Sequence, residues 1–539
     1  MAKNYEDYFP FDSIRDQQRE AVDFCLENFL NNNKRFCIVE AGTGVGKSAI
    51  GLTLSRVLSD SIPLSEDVQP GGYFVTTQKI LQQQYVNDFP TMVSLKSSSN
   101  YQCRYHSKNT CAESQQMLRS TDKSSKFFKT CVYDCTYKNQ KQRYLDSAES
   151  ITNFSYFLAE ANYSGKITPR QVLVVDEGHN IETALSKFVE ISISEFFSDN
   201  ILKLRFPKKL TQYQVHRWIK ETYLPTARSR LAFFEKSIEK FGGDKLREKL
   251  KQFQSLTRKH DLLKSHVSKI KKFISIYNSE NWVFEAGTTP QRGYKKVTFK
   301  PIDISQYAED YLFSLGQKVI IMSATIMSYD IFRETLGLPK DQTCFISLPS
   351  PFPIENRPII FSPVGSMGAK SIDSTLPNLA NAIREILNHH VEDKGIIHCK
   401  TYKIARYISH ALKDPRIITH DSTNRDEALE RHSISKERTV LLSPSMSEGV
   451  DLKDDISRFQ IICKVPYPYL GDKLIRKRMN RVTGWYELQT AKLIVQSVGR
   501  SVRSESDHAA TYILDSDFER FLNRNRSIFS EDFKLCLVK

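Results

Sequence analysis

Short apolar runs, many of them β-branched and bounded by polar or turn residues, recur along most of the chain. They cover residues 36–39, 73–75, 172–175 and 319–322, and then 395–398, 416–419, 439–442, 460–463 and 511–514. Runs this short and this uniformly apolar predict strands buried on both faces of a parallel sheet. The amphipathic stretches between them predict crossover helices. The pattern therefore predicts an α/β protein with two doubly wound parallel-sheet domains.

Two segments break the rhythm. Residues 96–150 are polar, rich in Ser, Lys and Tyr, and hold four cysteines. Residues 193–281 carry helical periodicity, with Leu246, Leu250 and Phe253 on one face and Leu263, Val267, Ile270 and Ile274 on another. Gly242-Gly243 predicts a break between two of these helices. Both segments read as insertions in the first α/β domain, which is then assembled from residues 1–95, 151–192 and 282–334. The second domain occupies residues 335–539. A chain of 539 residues is long enough for about three or four domains.

Composition adds a direction. Hydrophobic residues at 40% and charged residues at 26% are ordinary for a globular protein. A net charge of +15 attracts a polyanion, of which nucleic acid is the commonest. A basic but otherwise unspecialised surface explains the charge equally well. The first residues, MAKNYEDYFPFD, lack a basic-then-apolar leader, and no apolar run reaches membrane-span length. The expected setting is cytoplasmic and nucleoid-associated, or nuclear in a eukaryote, with no membrane partner.

Three elements carry phosphate chemistry. Ala41-Gly42-Thr43-Gly44-Val45-Gly46-Lys47-Ser48 lies between a predicted strand and a predicted helix over residues 49–58, the context a P-loop requires. Its glycines let backbone N–H groups face phosphates, Lys47 reaches the β- and γ-phosphates, and Ser48 suits magnesium. Ala41 stands where the general pattern has Gly. The apolar run at 172–175 ends in Asp176-Glu177-Gly178-His179, where Asp176 suits magnesium and Glu177 the attacking water. Alone, such a pair is often a polar strand end, and His179 a local cap; the upstream P-loop favours chemistry. Finally Gln496, Arg500 and Arg503 share one face of a predicted helix, which would bring two guanidinium groups to a transferring phosphoryl group from the second domain. A solvated basic face is the plainer reading of that pair.

Ten cysteines in 539 residues are too few for a disulfide scaffold, but Cys103, Cys111, Cys131 and Cys135 cluster in a single polar stretch. Four thiolates suit either tetrahedral zinc or a 4Fe–4S cube. No C-x2-C pair of a zinc ribbon is present, although His106 leaves a mixed Cys/His zinc site open. A segment of about fifty residues has little core, so such a group would hold it folded. Lys96, Tyr101, Arg104, Tyr105 and Lys108 then offer cations and stacking rings to a single strand, or only a solvated surface. The other six cysteines read as core residues.

In this order the motifs resemble those of superfamily-two helicases. Asp176-Glu177-Gly178-His179 looks like the D-E-A-H box with Gly for Ala, and Ser323-Ala324-Thr325 like the S-A-T motif that couples hydrolysis to DNA movement. Ser447-Glu448-Gly449-Val450-Asp451-Leu452 is similar to the motif whose acidic and glycine residues sense nucleotide and DNA. Arg15 and Gln18 resemble the adenine-reading Q motif. Leu95-Lys96-Ser97-Ser98-Ser99-Asn100-Tyr101-Gln102-Cys103, Thr152-Asn153-Phe154, Ser350-Pro351-Phe352-Pro353 and Lys464-Val465-Pro466-Tyr467-Pro468 narrow the likeness to the XPD/DinG branch. That resemblance implies two RecA-like motor domains, a small iron–sulfur domain and a helical arch. It favours a 4Fe–4S cluster over zinc, and it implies ATP with magnesium and 5′ to 3′ movement on single-stranded DNA. Cys135 is followed by Thr136-Tyr137 where the branch often has Pro-Tyr.

The expected function is an ATP-dependent DNA helicase acting as a monomer at a fork or bubble, in DNA repair or replication. Two alternatives differ in class. One is a redox-responsive single-stranded nucleic-acid-binding protein with a weak motor. The other is a translocase directed at RNA or R-loops. Intact Lys47, Asp176, Glu177, Arg500 and Arg503 argue for the motor.

Overall fold

The computed structural model describes residues 4–77, 79–118, 121–240, 250–289, 292–444, 452, 454–499, 501–502 and 504–538. Seventeen strands follow one another among them. They are β1 (Phe36–Ala41), β2 (Gln69–Thr76), β3 (Val93–Ser94), β4 (Glu149–Asn153), β5 (Arg170–Val175), β6 (Ile191–Ser194), β7 (Trp282–Thr288), β8 (Lys295–Pro301), β9 (Gly316–Ser323), β10 (Thr343–Leu348), β11 (Ile359–Gly365), β12 (Gly395–His398), β13 (Ile417–Thr419), β14 (Val440–Ser443), β15 (Phe459–Ile462), β16 (Ala510–Asp515) and β17 (Leu537–Val538). Each of the nine apolar runs in the sequence falls on one of these strands, to within one residue at either end.

Two sheets result, each of seven parallel strands. The first has the order β10-β1-β9-β5-β2-β4-β3 and the second β13-β14-β12-β15-β16-β11-β17. Strand interiors such as Val172, Leu173, Val174 and Val175 are fully buried, as sheets covered by helices on both faces require. Helix Lys47–Ser61 leaves the end of β1 and packs on the first sheet through Ile50, Leu54 and Leu58. These are the two RecA-like, doubly wound α/β domains.

The limits of the first domain differ from the sequence reading at two places. β10 pairs in register with β1, Phe36 against Thr343 and Ala41 against Leu348, so the first sheet extends beyond residue 335. A three-stranded antiparallel sheet, β6-β8-β7, straddles the expected ends of the helical insertion at 192/193 and 281/282. Its residues Lys295, Lys296 and Lys300 break the apolar pattern, which hid it from the sequence. The helices Leu224–Glu239 and Leu250–Ile276 of the insertion bury Phe234, Leu263, Val267, Ile270 and Phe273 in a core continuous with that of the first sheet. Phe253 is buried and Ile274 half-buried; Gly242, Gly243 and Leu246 lie outside the described residues.

The cysteine-bearing segment leaves and rejoins the sheet through neighbouring strands. β3 and β4 pair in parallel, Val93 with Ser150 and Ser94 with Ile151. Between them lie helices Cys111–Met117, Lys126–Tyr133 and Thr136–Asp146. No helix among the described residues is long and apolar enough to cross a membrane.

Candidate functional site

The phosphate loop is built where β1 ends and helix Lys47–Ser61 begins. Gly44 and Gly46 both take positive φ, +89° and +86°, a region that L side chains avoid. A Cβ on Gly46 would lie 2.3 Å from Gln18 Nε2, and one on Gly44 2.3 Å from the ring of Phe352. Lys47 Nζ donates to the carbonyl of Ala41 at 3.0 Å. Arg15 and Gln18 both bond to this loop. Arg15 Nη1 donates to the Gly44 carbonyl at 2.6 Å, and Gln18 Nε2 to the Val45 carbonyl at 2.9 Å. Gln18 Oε1 in turn accepts from the Arg15 amide at 2.9 Å, which ties the two residues together.

Asp176 and Glu177 follow β5 directly. Asp176 is 9% exposed; its Oδ1 accepts from the Glu177 amide at 2.9 Å and its Oδ2 from the Tyr85 hydroxyl at 3.0 Å. Burial, together with the negative charge of Asp176, pushes the Tyr85 phenol well above its ordinary range, which keeps it a donor. Glu177 sits at φ +54°, the kind of backbone strain that persists where function needs it. Gly178 occupies the alanine position of the D-E-A-H box for a steric reason. A Cβ there would lie 2.3 Å from Ile321 Cγ2 on β9.

From Glu177 a bonded chain runs to the second domain. His179 Nδ1 is 3.2 Å from Glu177 Oε2 and 2.8 Å from Ser323 Oγ, and its Nε2 is 2.9 Å from Asn180 Nδ2. Ser323 Oγ accepts from the Thr325 amide at 3.2 Å, and Thr325 Oγ1 accepts from Gln496 Nε2 at 3.2 Å. Gln496 lies on helix Trp485–Val498, which packs on the second sheet. The structure thus brings together Glu177, His179 and Gln496 with the Ser323-Ala324-Thr325 loop, while Asp176 bonds Glu177 and Tyr85 and Lys47 bonds back to its own loop. Arg500, Arg503, Gly449 and Asp451 lie outside the described residues. Thr43 and Ser48 lie within the loop and the first turn of its helix.

Three contributors escaped the sequence reading. Tyr85 is one. Glu40 is another: its Oε1 accepts from the amides of Ile326 and Met327 at 2.7 and 2.6 Å, and Oε2 from Ser347 Oγ at 3.0 Å. It ties β1 to the loop after Ser323-Ala324-Thr325, and burial raises its carboxyl above the usual carboxylate range. A lone charge in an otherwise apolar strand was its available signal. The third is the role of Phe352, whose ring covers Gly44 and packs with Val502 and Ala509 of the second domain.

The two domains also meet through an ion pair. Arg478 Nη1 is 2.8 Å from Glu182 Oε1, with 9% and 13% of the side chains exposed, and Trp485 Nε1 donates to Glu182 Oε2 at 3.1 Å.

The four clustered cysteines are all buried. Cys111 begins one helix, Cys131 lies in the next and Cys135 caps the third. Cys111 and Cys135 Sγ atoms are 3.5 Å apart, and the His106 amide donates to Cys103 Sγ at 3.3 Å. Burial and the proximity of the other thiols push Cys111 up to about 12 and Cys131 up to about 11. No three His, Cys, Asp or Glu side chains among the described residues are gathered tightly enough to hold a single ion. Of the basic and aromatic residues nearby, Tyr105 and Lys108 are exposed and Arg104 pairs with Asp134, while Tyr101 packs on Tyr137 at 5.5 Å.

Residues 384–534 match the family model of the helicase C-terminal domain, and residues 12–206 that of the type III restriction enzyme, res subunit. The ATP-dependent DNA helicase DinG of Photobacterium profundum is 23% identical over 250 residues, 42% of this chain and 35% of that protein. The ATP-dependent DNA helicase chl-1 of Caenorhabditis elegans is 23% identical over 181 residues, 29% of this chain and 22% of that protein. The chain thus spans about a third or less of the length of these curated relatives. A solved structure of an XPD helicase superposes with a TM-score of 0.61 at 16% identity, covering 96% of this chain and 99% of that one. Motif order, two RecA-like domains and these matches agree: the chain has the fold of the XPD structure and is similar in sequence, over part of its length, to DNA helicases of the XPD/DinG type.

Proposed function

We propose that this protein is an ATP-dependent DNA helicase that moves 5′ to 3′ on single-stranded DNA and separates duplexes at forks or bubbles. The observation that carries the motor is the bonded chain Glu177–His179–Ser323–Thr325–Gln496, which runs from the hydrolytic carboxylate of one domain to a helix of the other. A change at the nucleotide is thereby felt between the domains.

In this reading Lys47 binds the β- and γ-phosphates, and Arg15 and Gln18 hold the loop that faces them. Magnesium, when bound by Ser48 and Asp176, offsets phosphate charge. The donor set fits in kind, since the phosphate loop ends in the Ser48 hydroxyl and β5 is followed directly by the buried Asp176 carboxylate. Glu177 orients water and takes its proton. Arg500 and Arg503 add positive charge as the phosphoryl group transfers. The surplus of +15 suits a groove that tracks a phosphate backbone, and the names of the relatives support DNA as that strand. Polarity, monomeric action, a place in repair or replication, and a nucleoid or nuclear setting rest on the family likeness.

The reading includes a 4Fe–4S cluster on Cys103, Cys111, Cys131 and Cys135. Four buried thiols in one polar segment have the donor type and number that such a cluster takes, and two of them, Cys111 and Cys135, lie 3.5 Å apart. Bound there, the cluster supplies a cross-link that keeps residues 96–150 folded. Tyr105 and Lys108 then present a ring and a cation to the strand.

ATP hydrolysis with and without single-stranded DNA, for wild type and Lys47→Ala, tests the motor. Wild-type hydrolysis rises with DNA, and the variant binds DNA without hydrolysing ATP. Near-wild-type turnover by the variant would overturn the proposal.

A further inference from the structure

Tyr85 has a place that the motifs do not explain. It lies on helix Lys79–Asp88, 4% exposed, with its ring between Phe74 and Phe89 at 6.0 and 5.9 Å. Its hydroxyl donates to Asp176 Oδ2 at 3.0 Å, and the Glu177 amide fills a site on Oδ1. The backbone of Asp176 is fixed as well, since its amide donates to the Val75 carbonyl at 2.9 Å. Two hydrogen bonds of different origin thus set the rotation of one carboxylate.

The helix that supplies Tyr85 is itself held firmly. Gln82, fully buried, donates from Nε2 to Ser94 Oγ at 2.8 Å and to the Leu95 carbonyl at 2.9 Å. Lys79 Nζ donates to Asn100 Oδ1 at 3.0 Å, and Gln83 Oε1 accepts from Lys96 Nζ at 3.2 Å. A donor on a rigid element is what orienting a metal ligand requires.

We infer that Tyr85 is a positioning residue for Asp176, holding that carboxylate in the orientation that receives magnesium with the nucleotide. The inference rests on the ATPase reading above. If Tyr85 served only to satisfy its own buried hydroxyl, its removal would touch stability and leave magnesium affinity alone. If it positions Asp176, the carboxylate gains a rotation that must be frozen when the ion binds. Outer groups of this kind are worth about ten- to a hundredfold in metal affinity.

Tyr85→Phe keeps the ring between its aromatic neighbours and removes only the donor. The measurement is the affinity of the full chain for a fluorescent ADP analogue as magnesium is titrated, beside the thermal midpoint without magnesium. For the variant the magnesium concentration at half effect rises about tenfold. ADP affinity without magnesium and the thermal midpoint stay near wild type. The same shift appears in the magnesium dependence of ATP hydrolysis, with turnover recovering at saturating magnesium. Superimposable magnesium curves would overturn the role of Tyr85 and leave the ATPase reading intact. A wild type whose ADP affinity ignores magnesium would remove both.

Discussion

His179 Nδ1 lies 2.8 Å from Ser323 Oγ, which joins the loop after β5 to the end of β9. The same ring is 3.2 Å from Glu177 Oε2, and the Ser323 hydroxyl also accepts from the Thr325 amide. One imidazole and one hydroxyl therefore connect the Glu177 carboxylate to the contact with Gln496. Removing a link in such a chain should separate hydrolysis from movement.

Ser323→Ala removes that link and leaves the phosphate loop untouched. ATP hydrolysis is expected to stay within a few-fold of wild type, since a neutral hydrogen bond contributes about 1 kcal/mol. Strand separation is expected to fall about tenfold or more. Both rates are measured on one preparation; a parallel drop in the two would show that the bond serves hydrolysis alone.

Gly178→Ala makes the motif match D-E-A-H more closely and should nevertheless harm the protein. The added Cβ meets Ile321 Cγ2 at 2.3 Å, on a β-branched side chain that is itself fully buried. Overpacking of this kind costs about 1–3 kcal/mol. The first thermal transition is expected to fall, and an unchanged or higher midpoint would contradict the steric account.

Arg503→Ala tests a residue assigned from sequence pattern alone. A group that stabilises developing phosphoryl charge acts on turnover far more than on ground-state affinity. Turnover is expected to slow by about a hundredfold or more while nucleotide affinity changes little. Unchanged turnover would make Arg503 a surface residue.

Cys131→Ser addresses the cluster. Wild type purified without oxygen should be brown with about four irons per chain, and the variant colourless. The motor domains keep their own cores, so some ATP hydrolysis and single-strand binding should survive while unwinding is lost. Stoichiometric zinc without iron in the wild type would refute the cofactor. Full unwinding by the colourless variant would refute its role.

How much of this was legible depended on chemistry. The strands announced themselves because burial on both faces of a parallel sheet demands uninterrupted apolar residues, as in Val172 to Val175. β10 did not: Thr343 and Ser347 break its pattern, and at the sheet edge half of it faces away from the core. β7 and β8 carry lysines and glycine on a partly exposed ribbon, so no run formed. Of the proposed site, Lys47, Asp176, Glu177, His179 and Gln496 were singled out by motif spacing, because phosphate chemistry constrains residues within each short motif. Tyr85 is 91 residues from Asp176. A single tyrosine on an amphipathic helix leaves no spacing to read, and only the fold brings the two together.

The most direct test of the central claim is ATP-dependent strand separation of duplexes bearing a 5′ or a 3′ single-stranded tail, by wild type and Lys47→Ala. The account predicts that wild type unwinds the 5′-tailed duplex at least about tenfold faster than the 3′-tailed one, with no unwinding by Lys47→Ala. Hydrolysis stimulated by DNA but without separation of either duplex would contradict the helicase, and preference for the 3′ tail would contradict its direction.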